Sequence, residues 1–210
     1  MNSLKHKVTV NIFCVFKNMK KLLFMFLVLI SSCHSQGKHQ GQIEKKTNIS
    51  VNYDTIQFTN GFDFPVGELN TNGYYNAQKF TENNHLGDDW NGTGGGNTDL
   101  GDPIYAIANG YVSFSANVNG GWGNVIRIIH FIDSNKQVES LYAHCDKRLI
   151  EAGEFVKKGT QIGTIGTNND QYLAHLHFEL RNIVNLPIGG GYSSDTEGYL
   201  DPTEFINRNR

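Results

Sequence analysis

The chain of 210 residues is long enough to form one sizeable domain together with a shorter additional segment. Its formal net charge of -2 excludes the broad basic field typical of nucleic-acid-binding proteins, so no nucleic-acid partner is expected. With 23 glycines, 13 Phe, 9 Tyr and only 18% charged residues, the composition favours a turn-rich β fold over a helical bundle.

An export signal is predicted near the N-terminus. The cationic Met19-Lys20-Lys21 precedes the apolar run Leu22–Ile30, and Ser31-Ser32-Cys33 follows it. This order is typical of a secretory signal, and Met19 is an alternative start to Met1. The apolar run of about nine residues is shorter than the roughly 20 that a membrane-spanning helix needs. A transmembrane anchor is the alternative, because Val8–Phe16 is also apolar, but lysines separate the two stretches.

The end of this signal resembles the lipobox of bacterial lipoproteins. The resemblance rests on Ile30-Ser31-Ser32-Cys33 and implies that Cys33 is lipidated and becomes the mature N-terminus. Cys14 would then be removed and Cys145 would remain alone, which predicts no disulfide framework. Residues 1–33 are therefore assigned to the signal segment. The protein is expected in the bacterial cell envelope, anchored to a membrane through Cys33.

A polar tether is predicted to follow the signal. Residues 34–60 are rich in Gly, Gln, Lys, Asn and Ser and show little hydrophobic periodicity. Such a segment has a root-mean-square reach of about 25–30 Å and a maximum of about 80–90 Å. Residues 61–210 are assigned to one domain, which this tether would keep close to its membrane.

The first candidate site residues in chain order are His85 and Asp89. They offer one neutral nitrogen and one anionic oxygen, a pair that suits the borderline character of zinc. The surrounding sequence has no helical period, so they are not expected to share a helix face. Gly87 favours a loop or strand end that folds both side chains toward one point.

A mainly β domain with little helix is predicted from Pro103 onward, because short β-prone runs alternate there with glycine turns. Only Pro202–Asn207 looks helical. His130 ends one of the β-prone runs without a partner motif, and it is interpreted as a structural residue. The predicted strands are Pro103–Ala108, Tyr111–Ala116, Asn124–Phe131, Val138–His144, Thr160–Ile165 and Leu173–Arg181.

The remaining candidate residues are His144, His175 and His177. On a strand, residues two apart project from the same face, so His175 and His177 should point one way. A catalytic zinc site needs about three protein ligands and one open position. His85, Asp89 and one histidine of the last pair could supply the ligands, and the spacing does not decide which one. Two histidines then remain for proton transfer, and this surplus distinguishes a catalytic from a structural site.

Together these segments resemble the lysostaphin-type (LytM-like) zinc endopeptidases of bacterial cell walls. The resemblance covers Asn84 to Ile206 and implies a compact antiparallel β-sheet domain with a groove over the zinc. It also implies that the peptides of peptidoglycan are the substrate. The supporting segments outside the histidine motifs are Gly101–Gly110, Gly120–Val125, Val156–Gly163 and Leu200–Pro202.

The resemblance also implies roles for the five site residues. His85, Asp89 and His177 would bind one zinc ion per domain, and His144 and His175 would be catalytic. One of these two histidines would act as a general base, and the other would stabilise the developing oxyanion. Which histidine takes which role stays open at this point.

Several points stay open in the sequence. A tyrosine is common near the oxyanion in this family, and Tyr74 and Tyr75 are the candidates. Ile188–Gly198 looks like an additional loop that shapes the rim of the groove. The main alternative function is a non-catalytic module that binds the cell wall or activates an amidase. A purely structural zinc domain would need a fourth protein ligand. The sequence identifies neither the bond that is cleaved nor a regulatory partner.

Overall fold

The computed structural model describes residues 57–210. The signal segment 1–33, the lipidation site Cys33 and most of the tether 34–60 lie outside the described residues. Phe58 and Thr59 already bind the domain, because their backbone groups hydrogen-bond to Asn109 at 3.1 Å and to Phe131 at 2.8 Å. None of the helices within residues 57–210 is both long enough and apolar enough to cross a membrane.

The described residues form ten strands and one α-helix, with short turns at Gly67–Thr71 and Glu82–Asn84. The strands are β1 (Tyr74–Gln78), β2 (Asp88–Gly92), β3 (Pro103–Tyr105), β4 (Gly110–Asn117), β5 (Asn124–Phe131), β6 (Gln137–Arg148), β7 (Phe155–Val156), β8 (Gln161–Ile165), β9 (Leu176–Arg181) and β10 (Tyr199–Leu200), and the helix is α1 (Pro202–Asn209).

All strand pairs are antiparallel. The main path through the sheet is β1-β2-β9-β6-β5-β4-β7, while β10 pairs with β9 and β8 pairs with β3 and β6. This arrangement confirms the prediction of a mainly β, antiparallel domain with little helix. It also places β2, β9 and β6, the three strands that carry candidate site residues, side by side.

Several predicted boundaries differ from the observed ones. β3 ends at Tyr105 instead of Ala108, because the Ile107 backbone N–H turns away from the sheet and donates to Tyr142 Oη at 3.2 Å. β9 begins at Leu176 instead of Leu173. β6 continues past His144, since its last residues pair with β8. The strands β1, β2, β7 and β10 were not predicted. β7 and β10 have only two residues each, and β1 and β2 contain Asn or Asp and no β-branched residue.

The core face of β9 fixes the direction of the site residues. Leu176, Phe178 and Leu180 are fully buried in the main hydrophobic cluster. Because side chains alternate along a strand, His177 and Glu179 between them point to the opposite face of the sheet. Burying the three apolar side chains therefore orients the candidate ligand, as the strand pattern predicted.

His130 is a structural residue in this fold. Its ring is fully buried, with Nδ1 3.0 Å from the Asn109 carbonyl oxygen and Nε2 2.8 Å from Ser140 Oγ. The carbonyl can only accept, so Nδ1 carries the proton and Nε2 accepts from the serine hydroxyl. Burial lowers the pKa of His130 to about 4, although backbone hydrogen bonds oppose the shift. The neutral ring therefore belongs to the core.

We expect this buried histidine to make stability pH-dependent. The unfolded chain takes up a proton with a pKa near 6.5, and the folded chain does so near 4. The stability present above pH 6.5 is therefore lost as the pH falls toward 4, by roughly 3 kcal/mol. Urea unfolding of the metal-free protein from pH 7 to pH 4 should show this loss.

The matched comparison is His130→Asn, which removes the titrating group. The unfolding free energy of this variant should fall less steeply with pH than that of the wild type, and the two slopes should differ by roughly 1.4 kcal/mol per pH unit. If the two proteins give parallel lines of unfolding free energy against pH, the assignment of a neutral buried ring is wrong.

Candidate metal centre

The pairing of β2 with β9 brings the predicted ligands together. Asp89 on β2 lies directly opposite His177 on β9 in the antiparallel register. His85 precedes β2 and follows the short turn at Glu82–Asn84, so its ring reaches the same point from the end of the strand. The structure therefore brings His85, Asp89 and His177 into one cluster, although His85 and His177 are 92 positions apart in the sequence.

Three donor atoms converge in this cluster. His85 Nε2 lies 2.9 Å from His177 Nδ1, and Asp89 Oδ1 lies 3.3 Å and 3.0 Å from these two nitrogens. Tetrahedral zinc with bonds of about 2.0–2.1 Å would separate its ligand atoms by about 3.3–3.4 Å. The observed separations are close to this value. The donor set of two imidazoles and one carboxylate fits zinc and leaves its fourth position free.

The electrostatics of the cluster favour a cation. Burial alone would lower the pKa of His177, but hydrogen bonds and charges from Asp89 and Glu179 outweigh it and raise the pKa to about 9. Burial would raise the pKa of Asp89, but His177 and His85 hold it well below its usual range. Both directions show that positive charge is stabilised between these side chains, which a divalent cation supplies.

Gly87 allows the two strands to approach each other. A Cβ atom at this position would lie 2.4 Å from the Phe178 carbonyl oxygen and 3.0 Å from Glu179 Cγ. Any larger residue would therefore push the start of β2 away from β9. This explains why a glycine separates His85 from Asp89.

The two surplus histidines lie beside the ligand cluster. The ring centroids of His144 and His175 are 4.8 Å apart, and His144 lies 5.7 Å from the ring of His177. His175 Nδ1 is 2.8 Å from the Leu173 carbonyl oxygen. Since the carbonyl only accepts, Nδ1 is the donor, and Nε2 of the neutral ring keeps a free lone pair.

His144 occupies an irregular point of β6. Its φ angle is +59°, and its backbone N–H donates to the Trp122 carbonyl at 3.1 Å, outside the regular ladder. Non-glycine residues with such φ values are uncommon and cluster at functional sites. Burial, followed by the charges of His177 and His175, lowers the pKa of His144 to about 3. Its ring is therefore neutral at physiological pH.

An open groove with a volume of about 490 Å³ runs over these residues. A larger cavity of about 660 Å³ lies between α1 and the β5–β6 turn, but none of the site histidines lines it. Four of the five candidate site residues line the smaller groove, so their position, rather than cavity size, identifies it as the candidate site. Its lining residues are Asp89, Gly121, Trp122, His144, Tyr172, His175, His177, Gly190, Gly191 and Tyr192.

The tyrosines at the groove are not the ones suggested by the sequence. Tyr74 donates to Asp102 Oδ2 at 2.6 Å, and Tyr75 is half exposed on β1. Neither lines the groove, because β1 is separated from β9 by β2. Tyr172 and Tyr192 line it instead, with their rings 4.9 Å from His144 and 5.1 Å from His85. Two signals could have found them: Tyr172 is close to His175 in sequence, and Tyr192 lies in the segment Ile188–Gly198.

The loop after β9 forms one wall of the groove, as expected for the segment Ile188–Gly198. Trp122 Nε1 donates to the Gly189 carbonyl at 3.0 Å, and the Leu86 N–H donates to the Gly191 carbonyl at 2.9 Å. Tyr192 forms an antiparallel bridge with His85. These contacts hold the loop against the cluster of candidate ligands. Trp122 was not singled out by sequence, because only the fold brings it there.

Comparisons with known proteins agree with this geometry. Residues 89–192 match the family model described as Peptidase family M23. The chain is 42% identical over 81 residues to Lipoprotein NlpD of Yersinia enterocolitica, and the match covers 39% of this chain and 78% of that protein. It is 38% identical over 81 residues to the Murein hydrolase activator NlpD of Escherichia coli (strain K12), and covers only 20% of that longer relative.

A solved structure supports the fold. The antimicrobial peptidase lysostaphin from Staphylococcus simulans superimposes with a TM-score of 0.50 at 23% identity, over 70% of this chain and 54% of that one. This likeness confirms the lysostaphin-type architecture that the sequence predicted.

Proposed function

Because the chain belongs to peptidase family M23, we propose that it is a zinc-dependent endopeptidase that hydrolyses peptide bonds in the stem peptides or cross-links of peptidoglycan. The observation that carries this proposal is the convergence of three ligand atoms beside two further histidines in one groove. A purely structural metal site has no use for the two additional imidazoles.

In this proposal His85, Asp89 and His177 hold one zinc ion. When bound, zinc supplies Lewis-acid polarisation of a carbonyl group and makes a water molecule more acidic. The three side chains leave one side of the cluster facing the groove, where His144 and His175 lie. Both the peptide bond and the attacking water can therefore be approached by these two histidines.

The hydrogen bonds of the histidines suggest their roles. Leu173 keeps the proton of His175 on Nδ1, so Nε2 is free to accept a proton from the attacking water. His144 is neutral and then serves as the hydrogen-bond donor to the carbonyl oxygen as negative charge develops there. We assign His175 as the general base on this ground.

The lining of the groove supports cleavage within a peptide. Removal of a C-terminal residue generally needs a cation for the free carboxylate, and among the described residues the lining contains no Lys or Arg. Glycines and aromatic rings form its walls instead, which suits an extended peptide whose backbone passes close to the surface.

A second candidate is a non-catalytic activator of a murein hydrolase. The observation that favours it is the 38% identity to the relative named Murein hydrolase activator NlpD. This alternative gives His144 and His175 no chemical role, whereas the endopeptidase uses both. For this reason the endopeptidase remains the first proposal.

One experiment separates the two candidates. The zinc-loaded full chain is incubated with purified peptidoglycan and with defined muropeptides, with and without a zinc chelator, and the fragments are identified by mass spectrometry. Chelator-sensitive cleavage of a peptide bond supports the endopeptidase and identifies the bond. Intact peptides, together with faster digestion by an added amidase, would instead identify an activator.

We further propose that the protein is a lipoprotein of the cell envelope, with residues 34–60 as its tether. The lipobox-like Ile30-Ser31-Ser32-Cys33 and the similarity to proteins named as lipoproteins support this proposal. Lipidation of Cys33 would provide the anchor, since each buried methylene contributes about 0.8 kcal/mol.

We expect Cys33→Ser to abolish lipid labelling and to release the protein from membranes or block its processing. Lipid labelling in cells, membrane fractionation and mass spectrometry of the N-terminal peptide measure these effects. Cys145→Ser, which changes a buried cysteine far along the chain, is the control and should keep the label. A wild-type protein that begins elsewhere and carries no fatty acid would contradict the proposal.

A further inference from the structure

We propose that Glu179 and Arg181 are positioning residues of the metal centre. Glu179 orients His177 so that Nδ1 faces His85 and Asp89, and Arg181 holds Glu179 while it binds the loop that walls the groove. This inference rests on the proposed zinc site, and it concerns how that site is kept competent for the metal.

Two carboxylates compete for the ring of His177. Asp89 Oδ1 lies 3.0 Å from Nδ1, and Glu179 Oε1 lies 3.1 Å from Nε2. A neutral imidazole carries one proton, and a nitrogen that binds a metal must have a free lone pair. If the proton stays on Nε2 against Glu179, Nδ1 is available for zinc. Without Glu179, the proton on Nε2 would lose its acceptor, and the form of the ring that binds zinc through Nδ1 would be less stable.

Arg181 fixes Glu179 in this position. Its Nε donates to Glu179 Oε2 at 2.9 Å, so one carboxylate oxygen binds the arginine and the other stays against His177. Both side chains are fully buried. A buried carboxylate is costly without a partner, and the guanidinium supplies both the charge and the hydrogen bonds.

The remaining donors of Arg181 reach the wall of the groove. They contact the carbonyl oxygens of Leu186 and Pro187 at 3.4 Å and of Ile188 at 3.1 Å. The next residue, Gly189, accepts a hydrogen bond from Trp122 beside the site. The Arg181 guanidinium therefore binds both Glu179, which contacts His177, and the loop that forms one wall of the groove.

This support exists on one side of the metal centre only. Among the described residues, His85 Nδ1 is buried without a hydrogen-bond partner, so no carboxylate binds the nitrogen of that ring that points away from the cluster. The orientation of His177 depends on the Glu179 carboxylate. Loss of Glu179 should therefore lower the affinity for zinc.

The chain offers a matched control at Glu139. It is as fully buried as Glu179, pairs with Arg127 and lies 4.0 Å from Arg181, yet it contacts none of the three ligands. It also accepts a hydrogen bond from the Asn185 backbone N–H at 3.0 Å. Glu→Gln at either position is isosteric and removes one buried charge. Only the change at Glu179 alters the groups that face His177.

The test measures the zinc dissociation constant of the full chain by competition with a chelator. In Glu179→Gln, Arg181 attracts the amide oxygen, so the NH2 group faces His177 Nε2 and favours the proton on Nδ1. We expect zinc to bind about 10–100-fold more weakly than in wild type. Glu139→Gln should stay within about 3-fold. If Glu179→Gln does not fold, Glu179→Asp, which withdraws the carboxylate from the ring, should show the same loss.

The connection between Arg181 and the wall of the groove is tested with Arg181→Lys. Lysine keeps the positive charge but cannot bind the Glu179 carboxylate and three carbonyl oxygens together. Amide hydrogen exchange over residues 185–192 should accelerate at least about 10-fold, since hydrogen bonds from a charged group are stronger than neutral ones and their loss favours local opening. Unchanged exchange there would overturn the connection to the wall.

The outcomes distinguish this inference from the proposed function. Equal zinc affinity in wild type and Glu179→Gln, or equal losses in Glu179→Gln and Glu139→Gln, would overturn the inference and leave the peptidase intact. Tight zinc binding without peptide cleavage would overturn the peptidase and leave the inference standing. A wild-type chain that binds no zinc would overturn both.

Discussion

Replacing His175 with alanine, or His144 with asparagine, should remove most peptidoglycan hydrolysis while one zinc ion stays bound per chain. Both histidines lie beside the ligand cluster but contribute none of its three donor atoms. A general acid or base contributes about 10²–10⁴-fold to the rate, so each variant should lose that much in kcat. Zinc content and single-turnover cleavage of a muropeptide, measured on the same sample, give the result.

Asparagine is chosen at position 144 because of the backbone. His144 has a φ angle of +59°, and asparagine tolerates this conformation better than alanine does. The matched control is His130→Asn, a histidine of the same sheet that lies outside the groove. It should lose stability but keep its kcat per folded molecule. Loss of zinc from either site variant would place that residue among the ligands, and an unchanged kcat would exclude it from catalysis.

The second large effect is expected for Asp89→Asn, which should remove both zinc and activity. The substitution preserves size and replaces the only anionic ligand by a neutral amide. Changes to the hydrogen-bond partners of a metal ligand already lower metal affinity by about 10–100-fold. Loss of the charge of a ligand itself should therefore lower zinc affinity by more than about 100-fold. Chelator competition measures the affinity, and metal analysis after dialysis measures the bound zinc.

The neighbouring acid provides the control for this prediction. Asp88 projects to the other face of β2, where it accepts hydrogen bonds from Thr203 at 2.6 Å and from the Phe80 N–H at 3.1 Å. Burial raises the pKa of Asp88, in contrast to Asp89. Asp88→Asn should therefore bind zinc like wild type. Full zinc occupancy in Asp89→Asn would show that the ligand set is a different one.

The sequence by itself determined the fold class and predicted which residues form the candidate site. Glycine turns between β-prone runs were sufficient to predict a mainly β domain, because turns and β-propensity are local properties. The antiparallel arrangement of its sheet was implied by the family resemblance. β5, over Asn124–Phe131, was predicted with its observed bounds, since it contains four β-branched residues and lies between turn signals. The motifs around His85, His144 and His177 also predicted, through their resemblance to a known family, which side chains the structure brings close together.

Only the tertiary structure decided how these groups face each other. The polar strand β2 exists because β1 and β9 pair with it, so local propensity could not reveal it. The cross-strand register places Asp89 against His177, and Gly87 permits that close approach. Tyr172 and Tyr192 reach the groove, whereas Tyr74 binds Asp102, because side-chain contacts between distant segments depend on the path of the chain.

The support behind the metal centre also became visible only in three dimensions. Glu179 and Arg181 follow His177 at spacings of two, and strand alternation alone would place them on its face. In the structure, Glu179 contacts Nε2 of His177, and Arg181 donates hydrogen bonds to carbonyl oxygens of the loop after β9. The contacts of Arg181 depend on how this loop folds back over β9. The residues are close in the sequence, but these hydrogen bonds depend on the path of an irregular loop, which strand periodicity does not encode.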